Sequence, residues 1–211
     1  MIYTYEGKIT SLRDNGSSVD LVINVQDDKL AAVVKSKRAN TVTIRLEDGR
    51  RITPEQRKKI YATLNEIAEE LGYIPEEAKQ VMKYYYISKT GEQLFSLSDC
   101  SVDTAREFLN VLIDFCLERG VKTQDSLSER TDDIDTYLYQ CIRHRKCAIC
   151  GKQGEIHHWD AIGMGHDRRV YDDSNNRKIC LCRDHHVLAH QKGVKDFART
   201  YHVYGIICNE N

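Results

Sequence analysis

Apolar and polar positions divide the chain into a strand-patterned start and a helix-patterned middle. Within the first fifty residues, "SVDLVINV", "LAAVVKS" and "TVTIRLE" are rich in Val, Ile and Thr with partial alternation, which predicts strands. Turn chemistry separates them: Asn15-Gly16 after Asp14, and Asp48-Gly49, accept positive φ at little cost. The period then changes. Thr53-Pro54-Glu55-Gln56 is a capping box with proline at the first helical position, Ile60, Leu64, Ile67 and Leu71 follow on one face, and Gly72 closes the helix. Pro75 opens a second helix running towards Tyr84, and "KTGEQ" around Gly91 reads as a turn. Ala105, Phe108, Leu109, Leu112, Ile113 and Cys116 mark a long helix stopped by Gly120. The polar run 121–130, "VKTQDSLSER", reads as a linker, and a short helix from Ile134 to Ile142 leads into "RHRKCAIC". The expectation is an α+β chain of two domains, residues 1–125 and 126–211.

Composition is that of an ordinary globular chain, 41% hydrophobic and 30% charged, and no apolar run approaches the roughly 18 residues that span a bilayer. The start, "MIYTYEGKIT", has neither a basic n-region nor an apolar h-region. Together these predict a cytoplasmic protein without membrane contact, whose cysteines are free thiols or metal ligands. The net charge of −1 hides an asymmetry: residues 141–211 carry twelve Lys and Arg against eight Asp and Glu, while the rest is net acidic. A basic tail suits an anionic partner. All eight histidines and six of the eight cysteines lie after residue 140, which points to metal chemistry there.

"CAICG" puts Cys147 and Cys150 at the C-x2-C spacing of half a tetrahedral zinc site, with Gly151 permitting the tight turn. A redox pair would want a βαβ setting that this end of the chain lacks. Cys182-Arg183-Asp184-His185 offers the other half, two ligands one helical turn apart; Cys180 competes with Cys182. Adjacent helical residues diverge by about 100°, so His185 can face zinc while His186 faces elsewhere. His186 and His190, four apart, share a face and form a chelating pair. His157-His158 stands in a predicted strand, where neighbours point to opposite sides. One imidazole, His157, then joins His186 and His190 around a second ion. The other, His158, is left as a general base, a role that imidazole suits because its unperturbed pKa lies near neutrality. Three imidazoles without a carboxylate favour Zn2+ or Ni2+, whereas turnover often wants a harder ion such as Mg2+ or Mn2+.

With those residues in place, "CAIC … EIHHWD … NNRKICLCRDHHVLAH" resembles the HNH endonucleases of the ββα-metal fold over roughly residues 141–200. The resemblance implies DNA phosphodiester hydrolysis leaving a 5′ phosphate. It implies that His157, His186 and His190 ligate a catalytic divalent ion, that His158 activates water, and that a structural zinc sits on Cys147, Cys150, Cys182 and His185. The family's central asparagine, which orients the base, falls on Asn176 or Asn175, although the usual spacing would land on Arg177. Arg168 and Arg169, in the stretch "GMGHDRRVYDD", and Arg143 and Arg145 beside Lys146 are the candidates for gripping DNA phosphates. His144, His166 and His202 are expected to be ordinary surface or core histidines, and Trp159 to pack.

"RRITPEQRKKIYATLNEIAEELG" and "SVDTAREFLNVLIDFCLERGV" are similar to the Orf (NinB) recombination mediators of bacteriophages. That likeness implies single-stranded or branched DNA as partner, cooperation with a host single-strand binding protein, a bacterial cytoplasmic setting, and room for a homodimer. It also frames the rival function, a zinc-stabilised recombination mediator with an inactive nuclease centre; RNA is a further substrate option. The basic run Arg50, Arg51, Arg57, Lys58 and Lys59 reads as a solvated face, and Tyr84-Tyr85-Tyr86 as core packing with base stacking as the alternative.

Overall fold

Asp14 and Gly16 make the first tertiary decision. In strand β1 (Gly7–Asp14) and strand β2 (Val19–Val25) the chain forms an antiparallel hairpin with Leu12 opposite Leu21. Gly16 sits at φ 81°, its N–H donates to Asp14 Oδ1 at 2.8 Å, and Asn15 N–H donates to Ser18 O at 2.9 Å. The structure is a computed structural model and describes residues 5, 7–27, 29–37, 42, 44, 48–160 and 175–208. It divides into two compact units, Met1–Asp48 and Gly49–Asn211.

Within the first unit, "LAAVVKS" is not the expected strand. It is helix α1 (Leu30–Lys37). Asp27 Oδ1 accepts from the N–H groups of Lys29 (2.8 Å) and Leu30 (2.7 Å), satisfying orphan donors of the first turn. That local capping and the Ala-Ala pair outweigh the strand preference of two valines. "TVTIRLE" lies almost wholly outside the described residues.

The second unit begins with helix α2 (Pro54–Leu71). Its capping box is complete: Gln56 N–H donates to Thr53 Oγ1, and Thr53 N–H to Gln56 Oε1, both at 3.1 Å. Gly72 ends it at φ 72°. Helix α3 (Pro75–Thr90) runs past Tyr84 to the turn at Gly91, and helix α4 (Val102–Arg119) is capped by Ser101. Ile60, Leu64 and Ile67 of α2, Met82 and Tyr86 of α3, and Phe108, Leu109, Leu112 and Ile113 of α4 are all buried. Of the tyrosine run, Tyr86 is core, Tyr85 meets Phe115 edge-on and Tyr84 is exposed.

The polar stretch 121–130 is tied down. Gln124 N–H donates to Glu66 Oε1 at 2.9 Å, and Arg130, on the short helix α5 (Leu127–Arg130), forms a buried two-pronged ion pair with Glu66 of α2. Helix α6 (Ile134–Arg143), capped by Asp133, then buries Tyr137, Leu138, Cys141 and Ile142. Strand β3 (Glu155–His158) pairs antiparallel with β4 (Arg177–Leu181), placing His157 opposite Ile179 and His158 opposite Lys178. Helix α7 (Arg183–Lys192) follows β4 directly, then helix α8 (Val194–Tyr201) and strand β5 (Ile206–Ile207), which pairs with β4. One hydrophobic core runs from Ile52 to Cys208.

Candidate metal centres and active site

The C-x2-C turn is set by backbone bonds. Cys147 N–H donates to Lys152 O at 2.7 Å, Gly151 N–H donates to Cys147 O at 2.9 Å, and Gly151 takes φ 67°. Tyr137 OH donates to Ala148 O at 2.9 Å, fixing the turn to α6. Cys182 is the N-cap residue of α7 and His185 lies one turn inside it. Cys150 Sγ and Cys182 Sγ are 3.7 Å apart; His185 Nδ1 lies 3.5 Å from Cys147 Sγ and 3.2 Å from Cys182 Sγ. Ligand bonds of about 2.3 Å to sulfur and 2.0–2.1 Å to nitrogen in a tetrahedron give edges of roughly 3.3–3.8 Å, which two of these separations match and the third approaches, so the donor set is close to zinc geometry. Its chemistry agrees. Burial pushes the Cys147 thiol up to about 12 in the protein alone, and a bound cation is what stabilises a thiolate there. This Cys3His cluster can hold a metal such as zinc. Cys180 is outside it, buried on β4 beside Gly154, with a thiol that burial pushes up to about 12.

On the other side of α7 stand three imidazoles. His157 of β3 is 4% exposed, and its ring centroid lies 4.6 Å from that of His186 and 4.8 Å from that of His190. His186 and His190 bring their Nε2 atoms to 3.1 Å, a spacing suited to two ligands of one ion. His157 Nε2 is buried and has no hydrogen-bond partner. Burial first, then the neighbouring His186 and His190, pushes the His157 imidazole down to about 4, so it is neutral with a free lone pair at neutral pH. An orphaned buried nitrogen aimed at two more imidazoles is what a metal ligand looks like before its ion.

Glu155 completes this arrangement. Its Oε1 lies 2.5 Å from His186 Nδ1 and 3.6 Å from Arg183 Nη1, and the His186 bond holds the Glu155 carboxyl below its ordinary range. A carboxylate on one ring nitrogen fixes the orientation of the other. The signal was present in "EIHHWD": residues two apart on a strand share a face, so Glu155 and His157 point the same way.

A family model described as "Putative HNHc nuclease" matches residues 22–211. The chain belongs to this HNH nuclease family. No curated protein and no solved structure matches it.

Of the residues expected from the sequence to serve catalysis, His158 ends β3, half-buried and opposite Lys178, on the strand face away from His157. Lys178 is itself buried, a neighbour of His158 that sequence reasoning did not single out. The pairing continues one step further, with Trp159 N–H donating to Arg177 O at 2.8 Å. Asn176 lies in the bend just before β4, two positions from Lys178; Asn175 is exposed in the preceding turn. Arg177 is committed to Asp160, with Nη2 to Oδ1 at 2.5 Å and the backbone N–H to Oδ2 at 2.9 Å. Of the arginines expected to grip phosphate, Arg143 is held by Asp114 of α4, which also takes His144 Nε2 at 2.8 Å. Arg145 sits in the knuckle at φ 53°, its carbonyl accepting from Gly154 N–H. Arg168, Arg169 and His166 lie outside the described residues. His202 caps α8, and Trp159 is buried against Phe197 and Gly205. No helix of the described residues is long and apolar enough to cross a membrane.

Proposed function

We propose that residues 126–211 form a ββα-metal endonuclease domain that hydrolyses DNA phosphodiester bonds. The observation that carries this reading is the buried, unpartnered Nε2 of His157 set against His186 and His190, with His158 next along the strand. His157, His186 and His190 would hold one divalent ion, Mg2+, Mn2+, Ni2+ or Zn2+. When bound, that ion supplies electrostatic stabilisation of the scissile phosphate and of the leaving 3′ oxygen. Glu155 holds the His186 ring in register. His158 removes a proton from the attacking water, whose oxygen bonds to phosphorus as the P–O3′ bond breaks, leaving a 5′ phosphate and a 3′ hydroxyl. Asn176, or Asn175, orients the His158 imidazole. The Cys3His zinc keeps β3 and α7 together.

Residues 1–125 position the domain on single-stranded or branched DNA during phage recombination or replication, in the bacterial cytoplasm, beside the host single-strand binding protein and as a monomer or homodimer. A plasmid-nicking assay with Mg2+ or Mn2+ tests the chemistry. His158→Ala should lower cleavage by roughly 10²–10⁴, the usual contribution of a general base, while DNA binding is kept. Wild-type protein that binds every DNA form and cuts none would establish the inactive-mediator reading instead, and cleavage of RNA alone would move the substrate class.

A further inference from the structure

Helices α2 and α3 meet the segment 95–98 around a cleft of about 270 Å³, far in sequence from the histidines and not used by the mechanism above. It is lined by Arg57, Lys79 and Lys83 together with Tyr61, Ser96 and Ser98. Lys83 is the unusual member. It is 8% exposed, and its Nζ donates to a single protein acceptor, Phe95 O, at 2.8 Å. Arg57 spends Nε and Nη2 on the carbonyls of Leu97 (2.9 Å) and Ser98 (2.8 Å). Neither cation forms an ion pair with any described residue. Lys79, one turn before Lys83 on α3, adds a third charge and has one carboxylate, the exposed Glu76, at 2.7 Å. The other acid nearby is Asp99, which takes the Ser98 hydroxyl at 3.2 Å.

Three cations on one small concavity, two without counter-ions and one of those buried, repel each other and are costly to desolvate. Burial accordingly pulls the Lys83 ammonium below its ordinary range, with Lys79 adding to the effect. An anion in the cleft would relieve both penalties. The donors suit a phosphate: Lys83 keeps two free N–H positions, Arg57 keeps Nη1, and Lys79 lines the same cleft. Tyr61, 38% exposed, lines the same cleft, with Lys79 Nζ over its ring at 5.9 Å from the centroid.

We infer that the α2–α3 cleft is a nucleic-acid phosphate site, gripping the backbone of the strand that the C-terminal centre cuts. This inference rests on the reading that the substrate is DNA, and it places a contact where that reading assigned only a general positioning role.

The test is anisotropy of a labelled oligothymidylate across a salt series, with every protein in a His158→Ala background so that cleavage cannot interfere. Lys79→Glu is the informative variant, since Lys79 does not hold the 95–98 segment and its loss should leave the fold intact, as thermal melts would verify. It should weaken binding about tenfold and reduce the salt slope by about 0.7, one phosphate contact on a single strand. Lys79→Arg should bind like the parent. Lys58→Glu, the same charge change on the exposed α2 surface outside the cleft, should shift affinity less than about twofold. Equal losses from Lys79→Glu and Lys58→Glu, or none from either, would overturn the site. So would a mononucleotide or inorganic phosphate competing as well as the strand, because the cleft would then be a free-anion site. The two readings fail separately. If wild type cuts DNA but Lys79→Glu binds normally, the cleft assignment is lost and the nuclease stands. If nothing is cut yet the Lys79 effect persists, the cleft stands and the nuclease is lost.

Discussion

A histidine can be a ligand only if something decides which nitrogen faces the ion. At His186 that decision belongs to Glu155, 2.5 Å from Nδ1. Glu155→Gln keeps the size and loses the charge, and should weaken ion binding at the His157–His186–His190 centre by roughly 10–100-fold, the usual cost of removing such a partner. Zinc content of the Cys3His cluster should be unchanged. Titration with Co2+ or Mn2+, read by spectroscopy, checks this; unaltered affinity would return Glu155 to the role of a surface ion-pair partner. The same scale shows what the sequence offered. Chelating pairs four apart on a helix and C-x2-C turns are local, so His186, His190, Cys147 and Cys150 were legible from spacing alone. Lys178 was not, because its position opposite His158 depends on a strand register between segments twenty residues apart.

Single elements carry their own charges and caps. Asp133 caps α6 and accepts from Thr136 N–H at 3.1 Å and Thr136 Oγ1 at 2.8 Å. Burial alone would raise its pKa, but the Thr136 and Asn110 bonds outweigh burial and hold the carboxyl below its ordinary range. A folded pKa below the unfolded value of about 3.9 gives stability that is full above that pH and is lost as pH falls through the folded pKa. Asp133→Ala should cost about 1 kcal/mol at neutral pH. Asp133→Asn should keep most of the cap and flatten the acid limb of a stability-against-pH curve; a curve as steep as the parent's would remove Asp133 from the acid response. The Glu66–Arg130 pair joins α5 to α2 in the interior, so Glu66→Ala leaves the buried guanidinium with one carboxylate, the largely exposed Asp125 at 3.3 Å, and should cost about 3 kcal/mol by denaturant unfolding. Helix ends at Gly72, Gly91 and Gly120 were readable because a positive-φ stop is written in one residue. Helix α1 was misread because two valines look like a strand until Asp27 is seen to cap the turn.

For the molecule as a whole, the core that runs from Ile52 to Cys208 links the α2–α4 helices to the histidine-rich end. Removing the structural ion should therefore be felt beyond its ligands. Treatment with a strong zinc chelator, or Cys150→Ser, should lower the melting temperature of the 49–211 unit by roughly 10 °C, the shift expected for a few kcal/mol in a chain of this size. Elemental analysis should find one equivalent of zinc fewer in the variant than in the parent. A melt indifferent to chelation, with no zinc bound, would end the structural-metal proposal.

By itself the sequence determined the candidate ligands and the helix faces, because helical periodicity, caps and chelate spacing act within a few residues of chain. Tertiary structure alone decided which remote groups meet. It set His157 against α7, put Glu155 behind His186, seated Arg130 on Glu66, and gathered Arg57, Lys79 and Lys83 around one cleft. Those contacts follow from strand register and helix packing, which are fixed by the burial of a shared core and not by any short stretch of chain.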